Sequence, residues 1–165
     1  MQDDTNADSL DYEELKAAIP TIGFIDVVGY DGCNMASIEI FKLWQNHATA
    51  VSASQEYVGW DGVEYDLVLA QLAANPNMTA DQVAIATSQS ATNDKTWSAV
   101  AVDGRLTTLL TAVDQWSVAL NNGLASNRSK YARAFTATRN MWQAPMDKDL
   151  YDMAFEINRN VTDAN

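Results

Sequence analysis

The chain has 165 residues, 47% hydrophobic and 19% charged, with 22 acidic against 10 basic side chains and a net charge of −12. That length suits one sizeable core, a domain or part of one, and the acidic excess argues against nucleic acid or an anionic membrane surface as partner. A lone cysteine excludes an internal disulfide, no run approaches the roughly 20 apolar residues of a membrane span, and the start Met1-Gln2-Asp3-Asp4-Thr5-Asn6 lacks the basic and apolar regions of a signal peptide.

Residues 1–8 are acidic and polar and are predicted to be disordered. Ser9 or Asp11 suits the N-cap of a short helix over 12–19, which Pro20 should end. Phe24 to Val28 is a short, β-branched apolar run bounded by Gly23 and Gly29, the pattern of a central strand in a parallel sheet. From Met35 the period changes, with Met35, Ile38 and Phe41 on one face and Ile40 and Trp44 beside it, which predicts a helix to His47. Ala48 to Ser54 reads as a second strand. A right-handed crossover would make it parallel to the first, so that loop 55–64 lies on the edge that carries Cys33.

The spacing of Leu67, Leu69, Ala70 and Leu72 predicts a helix from Tyr65 to Ala74, stopped by Asn75-Pro76-Asn77. Thr79 and Gln82 form a capping box for a helix to about Gln89. After a polar loop, Trp97 to Val102 reads as a strand. Asp103 then caps a helix through Leu106, Leu109, Leu110, Val113, Trp116, Val118 and Leu120, which Asn121-Asn122-Gly123 should end. Ser126 to about Thr138 is a further helix made basic by Arg128, Lys130, Arg133 and Arg139, a pattern more typical of a solvated face or a cover for acidic surface than of a nucleic-acid patch. Asp149 opens a last helix with Leu150, Met153, Ala154 and Ile157 on one side. The sequence has no internal repeat and no low-complexity linker, and no Gly-rich phosphate loop follows a strand as in a dinucleotide or flavin binder.

Cys33 falls where the first strand ends and the predicted helix begins. Ligands of open α/β sheets bind at that edge, and helix N-terminal amides favour a thiolate there. A lone cysteine is also commonly a small buried hydrophobe, and position alone leaves both readings open. The acidity likewise reads either as solubility or as recruitment of basic substrates.

The neighbouring residues add a resemblance. Ile25-Asp26-Val27-Val28-Gly29-Tyr30 followed by Asp31-Gly32-Cys33-Asn34-Met35-Ala36-Ser37-Ile38-Glu39 resembles the nucleophile segment of clostripain-like cysteine peptidases: an apolar strand, Gly-Phe-Asp-Ala-Cys-Leu-Met-Ala and a Glu-bearing helix. Ala53-Ser54-Gln55-Glu56-Tyr57, Gly59-Trp60-Asp61-Gly62 and Tyr65-Asp66 resemble the block that follows in the family. Ser98-Ala99-Val100-Ala101-Val102-Asp103 and Asp149-Leu150-Tyr151-Asp152-Met153-Ala154 resemble two later blocks, in family order. Gly32, Asn34, Gly59 and Trp60 depart from the pattern's Ala, Leu, Pro and Gly.

The resemblance implies a three-layer α/β/α caspase-like sandwich, of which residues 1–165 form a single partial domain holding the C-terminal part of the sheet and its flanking helices. It implies a cysteine endopeptidase cutting after Arg or Lys, with Cys33 as nucleophile and the Cys33 amide donating to the oxyanion. Asp31 and Asp61 match positions whose carboxylates line the pocket for the basic side chain, although an aspartate at a strand end also serves turns and caps. Trp60 would wall that pocket or pack under its loop. The implied partners are a peptide or protein substrate with Arg or Lys and an upstream light-chain segment bearing the catalytic His-Gly. The alternative from another class is a non-catalytic binding or scaffold subunit with the same fold. No resident cofactor is implied; calcium is used within the family, but no acidic cluster here has loop-ligand spacing. The resemblance places such a protein outside the cell or on its surface.

The only histidine, His47, lies 14 residues after Cys33. The predicted helix would carry it about 20 Å from the turn, which argues against a role as general base. In caspases the histidine precedes the cysteine by about 50 residues, and 32 residues precede Cys33, so the histidine is expected from a separate preceding segment.

Overall fold

The computed structural model describes residues 2–3, 8–93, 96–140 and 148–162. Within the single domain expected from the sequence, the chain forms two compact units, residues 1–107 and 108–165.

The first unit begins with β1 (Gln2–Asp3) and β2 (Asp8–Ser9), a two-residue antiparallel ladder; residues 1 and 4–7 of the stretch expected to be disordered lie outside the described residues. Helix α1 (Tyr12–Ile22) is capped by Asp11, whose side chain accepts from the Glu14 amide while Glu14 reaches back to the Asp11 amide. Pro20 does not end the helix as expected. It falls in the last turn, where its missing N–H removes a single bond, and the chain leaves at Gly23 with φ +86°.

The sheet of this unit has the order β3–β4–β5: β3 (Ile25–Tyr30), β4 (Ala48–Ser54) parallel to it, and β5 (Trp97–Ala101) antiparallel to β4. The sequence reading made the cysteine-bearing strand central. Among the described residues it is an edge strand, and β4 occupies the middle with Ala50, Val51, Ser52, Ala53 and Ser54 all buried. Small residues let helices close on both faces of β4. Helix α4 (Ala80–Gln89), held by the expected Thr79–Gln82 capping box, lies against the Ala50, Ala99 and Ala101 side through Ala84 and Ile85. On the opposite side Trp44, from α2 (Ile38–Trp44), donates its indole N–H to Tyr30 Oη at 2.8 Å. Burial raises the Tyr30 phenol above its ordinary range, partly offset by that donor. Helices on both faces of one sheet make the three-layer α/β/α arrangement expected from the sequence.

Helix α3 (Tyr65–Ala74) spans the predicted residues, and its Val68 packs with Val63 and Ala91 in a small cluster flanked by Leu72 and Trp97. Helix α2 corrects the sequence reading at its start, because Met35 and Ala36 are not helical. The cap is Ser37, whose Oγ accepts from the Ile40 amide at 3.3 Å. Cys33 therefore stands in a turn four residues ahead of the cap, not at a helix N-terminus.

Helix α5 (Gly104–Ala137) is one continuous element of 34 residues where two were predicted. Its start is fixed by Asp103, which accepts from the Arg105 amide at 2.9 Å and holds the Arg105 guanidinium at 2.9 Å; Asp81 lies 3.3 Å from the same guanidinium. Asn121-Asn122-Gly123 does not break it. A helical glycine costs only about 1 kcal/mol relative to alanine, Asn127 Nδ2 donates to the Gly123 carbonyl at 3.2 Å, and the Tyr131 hydroxyl occupies the space a Cβ would take.

In the second unit Asp149 caps α6 (Leu150–Thr162) by accepting from the Asp152 amide at 2.7 Å, and the Asp152 carboxylate accepts from the Arg139 amide at 2.6 Å. Lys148 Nζ sits 4.4 Å over the Phe135 ring. Ala134, Thr138 and Ile157 are buried, while Arg128, Arg133 and Arg139 stay exposed, a solvated face as the sequence suggested.

Candidate active site

Cys33 lies three residues past the end of β3, beyond the carboxyl edge of the parallel pair, and is exposed. Two backbone bonds fix its turn against the chain leaving β4: Asn34 N–H donates to Glu56 O at 2.9 Å and Ala36 N–H to Ser54 O at 2.9 Å. Asn34 takes φ +56°, a left-handed conformation that asparagine tolerates better than most residues. The Val58 amide donates to Cys33 Sγ at 3.3 Å. The Cys33 thiol in turn donates to the Val58 carbonyl at 3.9 Å, so the Val58 peptide group, and not a helix terminus, is what meets the sulfur.

Asp31 is held by the loop after β4. Its Oδ2 accepts from the Tyr65 hydroxyl at 2.8 Å and from the Val63 amide at 3.4 Å. Gly62 closes that contact with φ +56°, and a Cβ there would stand 2.5 Å from Oδ2 and 2.6 Å from Oδ1. The hydrogen bond to Asp31 raises the Tyr65 phenol above its ordinary range, with burial and the neighbouring negative charge acting in the same direction.

Trp60 and Asp61 are the central residues of a tight turn closed by Gly62 N–H to Gly59 O at 3.1 Å. Asp61 is exposed. Trp60 is 107% exposed, which removes the reading in which it packs beneath the loop. The structure thus joins Cys33 to Val58, and Asp31 to Gly62, Val63 and Tyr65, with Trp60 and Asp61 on the same loop. Val58 could not be found from sequence because its contribution is a backbone group. Tyr65 had a signal, its place in the Tyr65-Asp66 block, but not a role.

His47 stands at the other end of the sheet. Its carbonyl accepts from the Ile25 amide at 2.9 Å, where β3 begins, and the pairing then runs from Ile25↔Ala48 to Tyr30↔Ala53. Five strand steps at about 3.3 Å put about 16 Å between that end and the edge bearing Cys33. His47 is not the base for Cys33. Among the described residues no group of three or more His, Cys, Asp or Glu side chains converges as a metal site.

A family model describing the clostripain family matches residues 1–157. The chain belongs to the clostripain family. Its fold is similar to that of a clostripain from Bacteroides thetaiotaomicron, at 12% identity and a TM-score of 0.51, covering 97% of this chain and 76% of that one. A B. fragilis cysteine protease is matched at 18% identity and a TM-score of 0.47, over 56% of this chain. The match spans 35% of that protease's own length. No curated protein sequence matches the chain. At the level of the family, clostripain membership assigns the chain to the cysteine peptidases, and the exposed cysteine at the carboxyl edge of its sheet is consistent with that assignment.

Proposed function

We propose that this clostripain-family chain carries the nucleophile of an endopeptidase that cleaves after Arg or Lys, completed by a preceding segment bearing the catalytic histidine. The observation that carries the reading is the exposed Cys33 with the Val58 N–H directed at its sulfur. The Cys33 thiolate adds to the scissile carbonyl and the Cys33 amide donates to the oxyanion. The histidine of the partner segment hands a proton to the leaving amine, and water then releases the acyl group from sulfur. Asp31 and Asp61 hold the substrate's cation, with Trp60 as one wall of that pocket. The B. thetaiotaomicron clostripain was solved with the peptide inhibitor BTN-VLTK-AOMK, whose peptide contains lysine, which supports a basic preference. By the same reading the protein acts outside the cell or on its surface.

The position of His47 favours a second reading, a subunit that binds without catalysing. One experiment separates them: cleavage of an Arg-amidomethylcoumarin substrate by the chain alone, by the chain joined to its upstream segment, and by the joined form with Cys33→Ala. The peptidase reading expects activity only in the joined form with Cys33 intact. Asp31→Asn in that form should cut cleavage after Arg by a factor equivalent to about 2 kcal/mol. A joined form that binds Arg peptides without turning them over would establish the scaffold reading. Activity of the chain alone that survives His47→Ala would overturn both.

A further inference from the structure

The second unit holds a cavity of about 540 Å3 whose lining includes Leu120, Leu124 and Phe135 of α5 and Met153 and Ile157 of α6, with Arg128 among the residues at its walls. Its volume falls in the range of small-ligand sites, which are mostly apolar with few polar groups that fix orientation. Leu124 is 47% and Phe135 44% exposed, so apolar surface is left open to an occupant. Arg128 is exposed and forms no ion pair among the described residues. The stretch 126–139 has four basic residues and no acidic one, against a net charge of −12 for the whole chain.

We infer that this groove binds a free carboxylic acid with an apolar chain, a fatty acid, with the chain along the leucine, phenylalanine and methionine side chains and the carboxylate on Arg128. A planar guanidinium pairs with a carboxylate through two parallel hydrogen bonds. One guanidinium matches one negative charge, whereas a phosphate dianion would keep a charge unpaired. The walls are helices whose backbone groups are already bonded within the helix. An extended peptide backbone would find few partners there, which favours a ligand with one polar end.

The test is displacement of a fluorescent fatty acid from the 165-residue chain by decanoic acid and by decanol, with sedimentation to follow the oligomeric state. Decanoic acid should displace the probe at concentrations at least tenfold lower than decanol. Arg128→Gln should weaken decanoic acid about tenfold and leave decanol unchanged, Leu124→Asp should weaken both, and Arg133→Gln neither. Circular dichroism checks that each variant is folded. Equal potency of acid and alcohol, or an unchanged Arg128→Gln, overturns the assignment of the carboxylate. Concentration-dependent dimers that Leu124→Asp breaks, with no fatty-acid binding by the monomer, would make the groove an interface between copies and overturn the proposal.

Discussion

Gly62→Ala tests how the site is held together, because two separate costs meet at one residue. The first is conformational: φ +56° places a non-glycine residue in the left-handed region, at about 1 kcal/mol. The second is contact, since the new Cβ would lie 2.5 Å from Asp31 Oδ2 and 2.6 Å from Oδ1, a side chain that can give way only by leaving its hydrogen-bond partners. The Asp31 carboxylate must swing away and give up its bonds to Tyr65 Oη and Val63 N. Tyr65 is 56% exposed, so its charge-assisted bond is discounted for solvent to about 1 kcal/mol. The Val63 amide belongs to a residue only 3% exposed and loses a long bond, about another 1 kcal/mol. The expected destabilisation is about 3 kcal/mol in the native sequence. It should fall to about 1 kcal/mol in an Asp31→Ala background, where only the backbone cost persists. Urea unfolding of the four members of the cycle, followed together by circular dichroism and fluorescence, measures both values. An equal cost in the two backgrounds would show that Gly62 and Asp31 are not in contact and would dissolve the site as drawn.

The Tyr65–Asp31 bond should depend on pH in one direction. A phenol whose pKa is raised on folding favours the fold below its unfolded value of about 10, and that contribution fades as pH rises through the folded value; ultraviolet titration should find one tyrosine returned toward the ordinary range in Asp31→Asn. Gly123→Ala should behave opposite to Gly62→Ala. Its φ is not positive, and the atom in the way is the end of the Tyr131 side chain, so a gain of up to about 1 kcal/mol in thermal unfolding is expected; a loss of 2 kcal/mol or more would mean the Tyr131 hydroxyl is held in place. Val58→Pro deletes the N–H that points at Cys33 Sγ and should slow iodoacetamide labelling at neutral pH severalfold with circular dichroism unchanged; an unaltered rate would remove that amide from the chemistry.

Elements whose signals are local were legible in the sequence. The Thr79–Gln82 box, the 3.6-residue spacing after Tyr65 and the run Ala48–Ser54 each gave the element the structure shows. Met35 and Ala36 misled because they are apolar in helical phase, yet the amides of Asn34 and Ala36 are drawn to Glu56 and Ser54, a contact between distant segments that periodicity does not report. The central position of β4 was hidden by its composition: Ala, Thr and Ser look less buried than Phe24–Val28, but small side chains are what two helical layers require. Gly123 was read as a stop because glycine favours C-caps, and packing along α5 overrode that preference. In the site, the placement of Cys33 and of loop 55–64 on one edge followed from strand order. The Val58 amide and the freedom of Trp60 did not, since each depends on how the loop closes.

The separation of Cys33 from His47 bears on where a base can come from. β4 fills one flank of β3, and among the described residues β3 has no other strand neighbour. Phe24, just before β3, is 64% exposed, and unpaired edges of this kind are normally covered. A strand added to that flank in the direction of β3 would end at the edge where Cys33 stands. A histidine at its end could then reach the 2.6–3.2 Å that proton transfer requires, which His47 cannot do from the opposite end of the sheet. The proposed histidine-bearing segment would thereby answer two needs with one element, cover for an exposed strand edge and a base for the thiol. Separating it from the chain should then weaken folding and abolish catalysis together.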